Sequence, residues 1–398
     1  MTSPSSAFTT NGATMIGVGA KARGMGGAGI GVGHGAESAL ANPAMITTIK
    51  GNNEVSFGGT VFMPDVKTDA LSGGTVTSES DADFFVIPSV SLASKVNDNF
   101  YWGIGMWGTG GLGVDYRDDT TGTTMEMVTA LQTMQFAVPL AYTTDGFTVA
   151  MSPIVQYSSL DINYYNGNSG LDVGAGVSQD VAVGYNLGLS YETNGITVGA
   201  VYKSEIKFDI DDVLTNALDG MGPAVPGNAG LTEMETPSEY GIGVSYTTAG
   251  HTIAVDYKNI AWDKAKVYED FGWEDQDVFA VGYEYATDGW AVRAGYQYAE
   301  AAVQDNAGKG LYLDQNMDAN PMVGLGTVTN TFNAIGFPGT MESHITLGGT
   351  YVFNETISLD LAAVFGLEDS TTVENFNGTQ TNVKHSEQGY TVQLNYAF

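Results

Sequence analysis

The chain contains no cysteine, and charged residues make up only 15% of its 398 positions. The absence of cysteine excludes a disulfide framework, a thiolate metal site and a cysteine nucleophile. Charged residues usually make up about a quarter of a soluble protein, so this chain has fewer than a soluble surface normally carries. Its 14 basic residues are outnumbered by 45 acidic ones, which gives a net charge of −31. We therefore exclude nucleic acid as a partner, because binding to phosphate requires clustered lysine and arginine.

No apolar run approaches the roughly 18–20 residues that a membrane-spanning helix requires. Since only helices and closed barrels satisfy their backbone in lipid, a soluble β protein and a membrane barrel remain as alternatives. The 53 Gly, 21 Tyr and 17 Phe residues are typical of a transmembrane barrel. The first residues lack the charged and apolar segments of a secretory signal. We therefore expect a mature form of an exported protein, or one to which Met1 has been added.

Apolar and polar residues alternate from Asn53 to the C-terminus, and this period predicts β-strands separated by turn residues. The last strand shows it most clearly, because every second residue from Tyr390 to Phe398 is large and apolar. The alternation predicts fourteen strands, at 53–66, 82–96, 99–114, 127–143, 146–162, 179–192, 195–210, 234–248, 251–261, 276–287, 289–300, 341–353, 356–367 and 387–398.

The connections between these strands alternate strictly between tight turns and long loops. Aromatic residues cluster beside the tight turns, where the girdle of a membrane barrel meets the interface. A soluble sandwich has the same strand alternation, but it has no reason to place aromatic residues around one end. The sequence therefore predicts an all-β fold, a fourteen-stranded antiparallel transmembrane β-barrel with both chain ends on the periplasmic side.

Residues 1–51 precede the first predicted strand and show neither alternation nor a long amphipathic helix. This segment is rich in Gly and Ala and contains Asn42-Pro43-Ala44 near its end. We interpret it as a hatch, or plug, inside the barrel formed by residues 52–398. Its run from Gly24 to Gly29 has the spacing of a dinucleotide-binding loop, but Asn42-Pro43 interrupts the chain where the required βαβ unit would continue. We therefore predict no nucleotide cofactor.

These features together resemble the FadL-type outer-membrane transporters of long-chain fatty acids and hydrocarbons, a family that includes toluene-uptake channels. The resemblance covers nearly the whole chain. It rests on Glu37–Ile46 with its Asn-Pro-Ala motif, on Phe136–Tyr142 with its proline, and on Phe337-Pro338 followed by Glu342–Tyr351. It implies capture of a ligand by extracellular loops, entry into the lumen, and sideways release into the membrane at a kinked third strand beside the hatch.

The third predicted strand, 99–114, is rich in glycine near its end, and glycine within a strand weakens pairing and marks bulges. Four glycines are candidates for a lateral gate: Gly108, Gly110, Gly111 and Gly113. The alternative is that small residues simply fill a crowded lumen.

Because basic residues are few, their placement is informative. Lys21 and Arg23 fall in the hatch, and the alternation turns Lys203, Lys258 and Arg293 inward. An ionised group in a lumen needs a partner, so each either meets the carboxylate of a fatty acid or forms an internal salt bridge. The inward acids available for such bridges are Asp256, Glu284 and Asp360.

Two long loops carry apolar residues. Loop 211–233 shows helical spacing, which predicts an amphipathic helix for capturing the ligand. Its apolar positions are Val213, Leu214, Ala217, Leu218 and Met221. Loop 301–340 is the longest and is expected to fold over the mouth of the barrel, either lining the ligand path or closing it. Its apolar positions are Leu311, Leu313, Met317, Met322, Leu325, Phe332, Ile335 and Phe337.

The sequence predicts no catalytic, cofactor or metal site. The four histidines, His34, His251, His344 and His385, lack metal-ligand spacing and have no serine placed for a hydrolase. We therefore expect a monomer in contact with outer-membrane lipid, which passively transports a hydrophobic small molecule. Long-chain fatty acid is the first candidate and an aromatic or alkane hydrocarbon the second. Two alternatives remain, a structural or adhesive surface barrel and a porin for polar solutes.

Overall fold

A computed structural model describes residues 10–167, 170–220, 231–307 and 325–398. Within these ranges, fourteen antiparallel strands close into a barrel, because the last strand pairs with the first from Val383–Thr68 to Ala397–Glu54. The strands are β1 (Asn53–Thr68), β2 (Phe85–Lys95), β3 (Phe100–Asp115), β4 in two parts (Val128–Ala137 and Leu140–Thr144), β5 (Phe147–Asn166), β6 (Leu171–Thr193), β7 (Ile196–Lys203), β8 (Glu239–Thr248), β9 (His251–Ile260), β10 (Gln276–Ala286), β11 (Trp290–Ala299), β12 (Ser343–Val352), β13 (Ile357–Glu374) and β14 (Gln380–Ala397).

The predicted barrel class and strand number are confirmed, but some predicted bounds are wrong. The segment predicted as a strand at 195–210 is divided, since β7 ends at Lys203. Residues Ile206–Asp209 leave the barrel and pair with Glu233–Thr236 in a separate hairpin. Pro237 then separates this loop hairpin from β8, because proline has no N–H to donate to the ladder. For the same reason, Pro139 interrupts β4.

Side chains alternate between the two surfaces of the wall as the sequence predicts. On β14, Val392 and Leu394 are about half exposed on the outside, whereas Thr391 and Gln393 are buried on the inside. Large apolar residues outside and small or polar residues inside are the pattern of a wall that faces lipid.

The tight turns follow from local sequence. Asp145-Gly146, Asn194-Gly195 and Ala249-Gly250 each join two strands with positive φ at both residues, as two-residue hairpin turns require. Aromatic pairs lie next to other tight connections, for example Tyr285 with Trp290 at 5.6 Å and Tyr396 with Phe398 at 5.0 Å between ring centroids.

Residues 10–52, here called the N-terminal segment, lie against the inner surface of the wall. They form the N-terminal hairpin (Thr10–Asn11 and Thr14–Met15), helix α1 (Ala20–Gly24), and 3-10 turns at Gly35–Ala39 and Pro43–Thr48. Glycines allow the two backbones to touch. A Cβ added to Gly24 would lie 2.9 Å from the Cα of Gly348 in β12, and one on Gly31 would lie 2.3 Å from the carbonyl carbon of Gly243 in β8.

The remaining elements lie at the long-loop end. They are a 3-10 turn at Ala70–Ser72, the short strand Ser78–Glu79, helix α2 (Val213–Gly220), a 3-10 turn at Trp262–Lys264, and helix α3 (Leu325–Gly336). No helix in the described residues is long and apolar enough to cross a membrane.

Candidate functional site

The wall is incompletely paired between β2 and β3. These strands pair from Ser89–Trp107 to Lys95–Tyr101, whereas the preceding residues of β2, Phe85–Pro88, pair with β1. The pairings of the described residues join none of Phe85–Pro88 to β3. We call this opening the wall gap.

The four glycines of β3, at positions 108, 110, 111 and 113, lie at this gap. The register with β4 shifts between Gly108 and Gly110, which is the bulge that glycine permits in a strand. The N-terminal hairpin partly replaces β2 here. Thr14 pairs with Gly110, and the N–H of Gly111 donates to the carbonyl of Ala13 at 2.9 Å. A Cβ on Gly110 would come within 2.6 Å of the same carbonyl oxygen.

An apolar cavity, here called the upper cavity, lies beneath the long loops. The barrel wall contributes Leu112, Leu131, Leu160 and Ile162, and the loops contribute Leu214, Met234, Val267, Tyr268, Phe271, Trp273, Phe332, Asn333 and Phe337. The polar groups of Asn333 are occupied. Its Nδ2 donates to the carbonyl of Phe271 at 3.0 Å, and its Oδ1 accepts from Nε1 of Trp273 at 3.3 Å. Because this amide is already hydrogen-bonded within the protein, an apolar ligand could contact the lining without leaving the amide unpaired.

Helix α2 lies where the apolar spacing of loop 211–233 predicts a helix. Its apolar face is packed inward rather than exposed as an open groove, because Val213, Leu214, Ala217 and Leu218 are all buried. Leu214 reaches the upper cavity. The fifth candidate of this loop, Met221, lies outside the described residues.

The loop 301–340 contributes through α3 and the residues that follow it. Phe332 packs against Phe271 at 5.3 Å and against Phe337 at 5.7 Å between ring centroids, and Ile335 is buried. Four of its other apolar positions, Leu311, Leu313, Met317 and Met322, lie outside the described residues, as does the side chain of Leu325.

A second cavity, here called the lower cavity, lies between the N-terminal segment and strands β7 to β11. Its lining includes Lys203, Glu239 and Lys258. Glu239 lies between the two lysines, with Nζ of Lys203 at 2.9 Å and Nζ of Lys258 at 3.8 Å. Two ammonium groups thus share one carboxylate at the edge of this cavity.

The other three basic candidates are held in internal contacts. Lys21 lies 3.5 Å from Glu37 and 3.6 Å from Asp360. Burial alone would lower the pKa of Lys21, but the charges of Asp360 and Glu37 raise that pKa above its usual range. Burial raises the pKa of Glu37 to about 7, against the attraction of Lys21. The contacts of Lys21 with Glu37 and Asp360 are therefore internal salt bridges, which is one of the two alternatives that the sequence left open.

Arg293 on β11 lies 2.6 Å from Glu284 and 4.0 Å from Asp360, and it also donates to the hydroxyl of Thr350 at 2.8 Å. Arg23 is buried, and its Nη1 donates to the carbonyl of Gly17 at 3.4 Å. Neither guanidinium is among the residues that line the two cavities.

The Asn-Pro-Ala motif ties the N-terminal segment to itself and to the wall. Oδ1 of Asn42 accepts the N–H of Ala44 at 3.0 Å, which caps the 3-10 turn that begins at Pro43. Its Nδ2 donates to the carbonyls of Ile30 at 2.9 Å and Leu189 of β6 at 3.1 Å. One amide therefore fixes two parts of the segment against one strand.

Sequence reasoning missed the principal polar anchor of this segment. Asp256 on β9 was expected to pair with a cation, but its carboxylate accepts the consecutive backbone N–H groups of Gly29, Ile30 and Gly31, at 2.7, 2.7 and 3.1 Å. The inward position of Asp256 opposite a glycine-rich segment is the signal that indicates such a contact.

Comparison with known proteins bears on this arrangement. Residues 1–309 match the family described as outer membrane protein transport protein (OMPP1/FadL/TodX). The long-chain fatty acid transport protein of Escherichia coli O6:H1 is 23% identical over 374 residues, which covers 81% of this chain and 79% of that protein.

Solved structures show the same architecture. A FadL homologue of Pseudomonas aeruginosa superposes with a TM-score of 0.70 at 14% identity, covering 97% of this chain and 100% of that one. The toluene transporter TodX of P. putida superposes with a TM-score of 0.65 at 17% identity, covering 96% of this chain and 99% of that one. At such identities the likeness establishes the fold.

Proposed function

The chain belongs to the family of outer membrane protein transport proteins that includes FadL and TodX, and from this premise we propose passive uptake of a hydrophobic small molecule. The protein lies in the bacterial outer membrane as a fourteen-stranded β-barrel. In the proposal, the apolar part of the ligand binds in the upper cavity and an acidic head group, where the ligand has one, binds at the lower cavity. The N-terminal segment acts as a hatch that rearranges, and the ligand leaves sideways through the wall gap.

The position of the upper cavity directly beside the wall gap carries this proposal. Leu112 lines the cavity and lies on β3, one residue beyond the contact between Gly111 and the N-terminal hairpin. Ala13 of the hairpin belongs to the same buried apolar cluster as Leu112 and Leu131. The hairpin therefore covers the gap and packs in the apolar cluster around the cavity, and in the proposal its movement joins the two.

The lower cavity favours a ligand with an acidic head group as the first candidate. Lys258 is buried apart from a small fraction of its side chain, and its nearest carboxylate is shared with Lys203. A fatty acid carboxylate placed there would give the second ammonium a partner of its own, and charge-assisted hydrogen bonds are the strong ones. The curated relative is named for long-chain fatty acids and TodX for toluene, so a hydrocarbon is the second candidate.

Uptake of a radiolabelled long-chain fatty acid and of toluene, measured on Lys258→Ala in reconstituted vesicles, separates these ligands. We expect fatty acid uptake at subsaturating concentration to fall about tenfold, equivalent to about 1.4 kcal/mol of lost binding, with toluene uptake unchanged. Lys207→Ala is the matched control, because Lys207 pairs with Glu235 in the loop hairpin.

The outcomes discriminate between the alternatives. Equal fatty acid uptake in both lysine variants would contradict the head-group assignment and favour a hydrocarbon. Wild-type vesicles that take up neither compound would contradict transport itself and favour a structural or adhesive barrel. Native mass spectrometry of the purified barrel, which identifies any retained lipid or hydrocarbon, completes the comparison.

A further inference from the structure

The inner face of the wall changes from polar to apolar beside the wall gap. Where β2 is paired on both sides, the inward residues are small and polar, as in the buried pair Ser56 of β1 and Ser91 of β2. Beside the gap they are large and apolar. Phe62 of β1 pairs with Phe85 of β2, and Ile87 lies two positions further along β2. These three side chains, here called the gap face, are at most 9% exposed.

The apolar character of the gap face is local. On β1, the inward residue two positions before Phe62 is Thr60, whose hydroxyl lies 2.8 Å from that of Thr391 on β14. Gln393, the next inward residue of β14, is also buried on the inside. The interior of an outer-membrane barrel is generally polar, and these neighbours follow that pattern. The change to phenylalanine and isoleucine coincides with the part of β2 that lacks a partner on β3.

Met15 of the N-terminal hairpin covers the gap face. It packs with Phe62, Phe85 and Ile87 in one buried cluster. The two phenyl rings are stacked with their centroids 6.3 Å apart, and a methionine thioether makes favourable contacts with aromatic rings. Among the described residues, Met15 is the member of this cluster that the N-terminal segment contributes.

Met15 also lines the lower cavity, so one side chain borders both this cavity and the gap face. The hairpin holds it there, because the adjacent Thr14 pairs with Gly110 of β3. Withdrawal of the hairpin from the wall would remove Met15 and uncover the gap face. Methionine is unbranched and flexible, and its side chain has the shape of a short alkyl chain. The place that Met15 fills is therefore one that an alkyl segment of a ligand fits.

We propose that the gap face is an exit subsite for the alkyl chain of the transported molecule, and that Met15 occupies this subsite while the wall gap is closed. The inference rests on the proposed function for what passes through the gap, but occupancy of the subsite is measurable without transport. A ligand chain that replaces Met15 covers again the apolar surface that the departing hairpin exposes. The side chains of the gap face carry no hydrogen-bonding group, so the subsite takes a hydrocarbon chain and disfavours a polar head group.

Photolabelling tests this assignment. The probe is a long-chain fatty acid with a diazirine in the middle of its alkyl chain, added to the purified full-length barrel in lipid vesicles, and labelled residues are mapped by mass spectrometry. Val86, between Phe85 and Ile87, is 67% exposed on the outer surface, so it reports background labelling from the bilayer. We expect Met15→Ala to raise the yield at Phe85 and Ile87, relative to Val86, at least about tenfold, because truncation of a buried methionine vacates its site.

Met25→Ala is the matched control. Met25 is another buried methionine of the N-terminal segment, but it packs with Ala254 of β9 and Ala280 of β10, so the labelling ratio should stay at the wild-type value. Met15→Gln keeps the length of the side chain and adds an amide that the gap face disfavours, so it should raise the ratio as Met15→Ala does. In the Met15→Ala background, Ile87→Ser should lower the yield at Phe85, because it returns polar character to the inner face. Heat-modifiable migration on gels establishes that each barrel has folded.

A labelling ratio that both Met15 variants leave at the wild-type value overturns the exit subsite, and so does an equal rise in Met25→Ala. Neither result depends on uptake, so failure of the proposed function is seen separately. Vesicles in which the gap face of the Met15 variants is labelled, while the wild-type barrel moves no fatty acid, would keep the binding site and contradict transport.

Discussion

Asp256→Asn removes the charge that holds the middle of the N-terminal segment while preserving the size of the side chain. Oδ2 of Asp256 accepts the N–H groups of Gly29 and Ile30 at 2.7 Å, and Oδ1 accepts that of Gly31 at 3.1 Å. An asparagine has one oxygen only, so it sets an NH2 group against at least one of these donors. A hydrogen bond to a charged group contributes about 1.5–3 kcal/mol. Losing one such bond and weakening two should cost about 3 kcal/mol.

A cost of about 3 kcal/mol raises the population of the locally open state about 100-fold, since each 1.4 kcal/mol is a factor of ten. Hydrogen exchange of the amides at positions 29–31, followed by mass spectrometry, measures this population directly. Asp277→Asn is the matched control, because Asp277 bonds the side chains of Tyr257 and Asn259 rather than the segment. If Asp256→Asn exchanged no faster than Asp277→Asn, the carboxylate would not anchor the segment and the reasoning would be refuted.

Two further predictions concern the gap and the segment. Replacing the four glycines of β3 with valine should block uptake, while native mass spectrometry should still detect bound ligand. Gly349→Val is the control, because a Cβ at that position has ordinary space. Normal uptake in the quadruple variant would refute lateral release. Because burial raises the pKa of Glu37 from 4.5 to about 7, the folded state binds more protons than the unfolded state between those values. The free energy of unfolding should therefore fall as the pH rises from about 4.5 to about 7. Urea titrations across this pH range should show that this dependence on pH is lost in Glu37→Gln. A variant that kept the full pH dependence would show that Glu37 is not its source.

The barrel could be predicted from the sequence because its signals are local. The two-residue turn at Asp145-Gly146 and the alternation around Leu394 each depend on neighbours a few positions away. The strand bounds near Pro237 were wrong for a different reason. The alternation of apolar and polar residues continues through the loop hairpin. The hydrogen-bonded ladder of the barrel wall nevertheless stops at Pro237, because proline has no backbone N–H to donate.

The candidate site was less predictable because its contacts join distant parts of the chain. The alternation turned Lys203 and Lys258 inward, but it could not show that both would share Glu239. The anchor between Asp256 and the backbone of Gly29–Gly31 spans more than 220 positions. It uses N–H groups, which every residue except proline carries, so the residue types at positions 29–31 do not single them out as the partners of Asp256.

The nature of each contact indicates which part of the N-terminal segment moves. The backbone at Gly29–Gly31 is held by a carboxylate, and an apolar ligand does not compete for N–H groups. Ala13, by contrast, is packed in the apolar cluster that lines the upper cavity. A hydrophobic ligand there can replace the contacts of Ala13 with its own surface, at little cost in exposed apolar area. In the proposed mechanism, ligand entry would therefore weaken the apolar hold on the hairpin and leave the three hydrogen bonds to Asp256 intact. We expect the moving part to be the stretch before Gly17, whose polar restraints include the bonds from Thr10 to Glu387 and from Gly111 to Ala13, while the rest of the segment stays docked as the ligand passes.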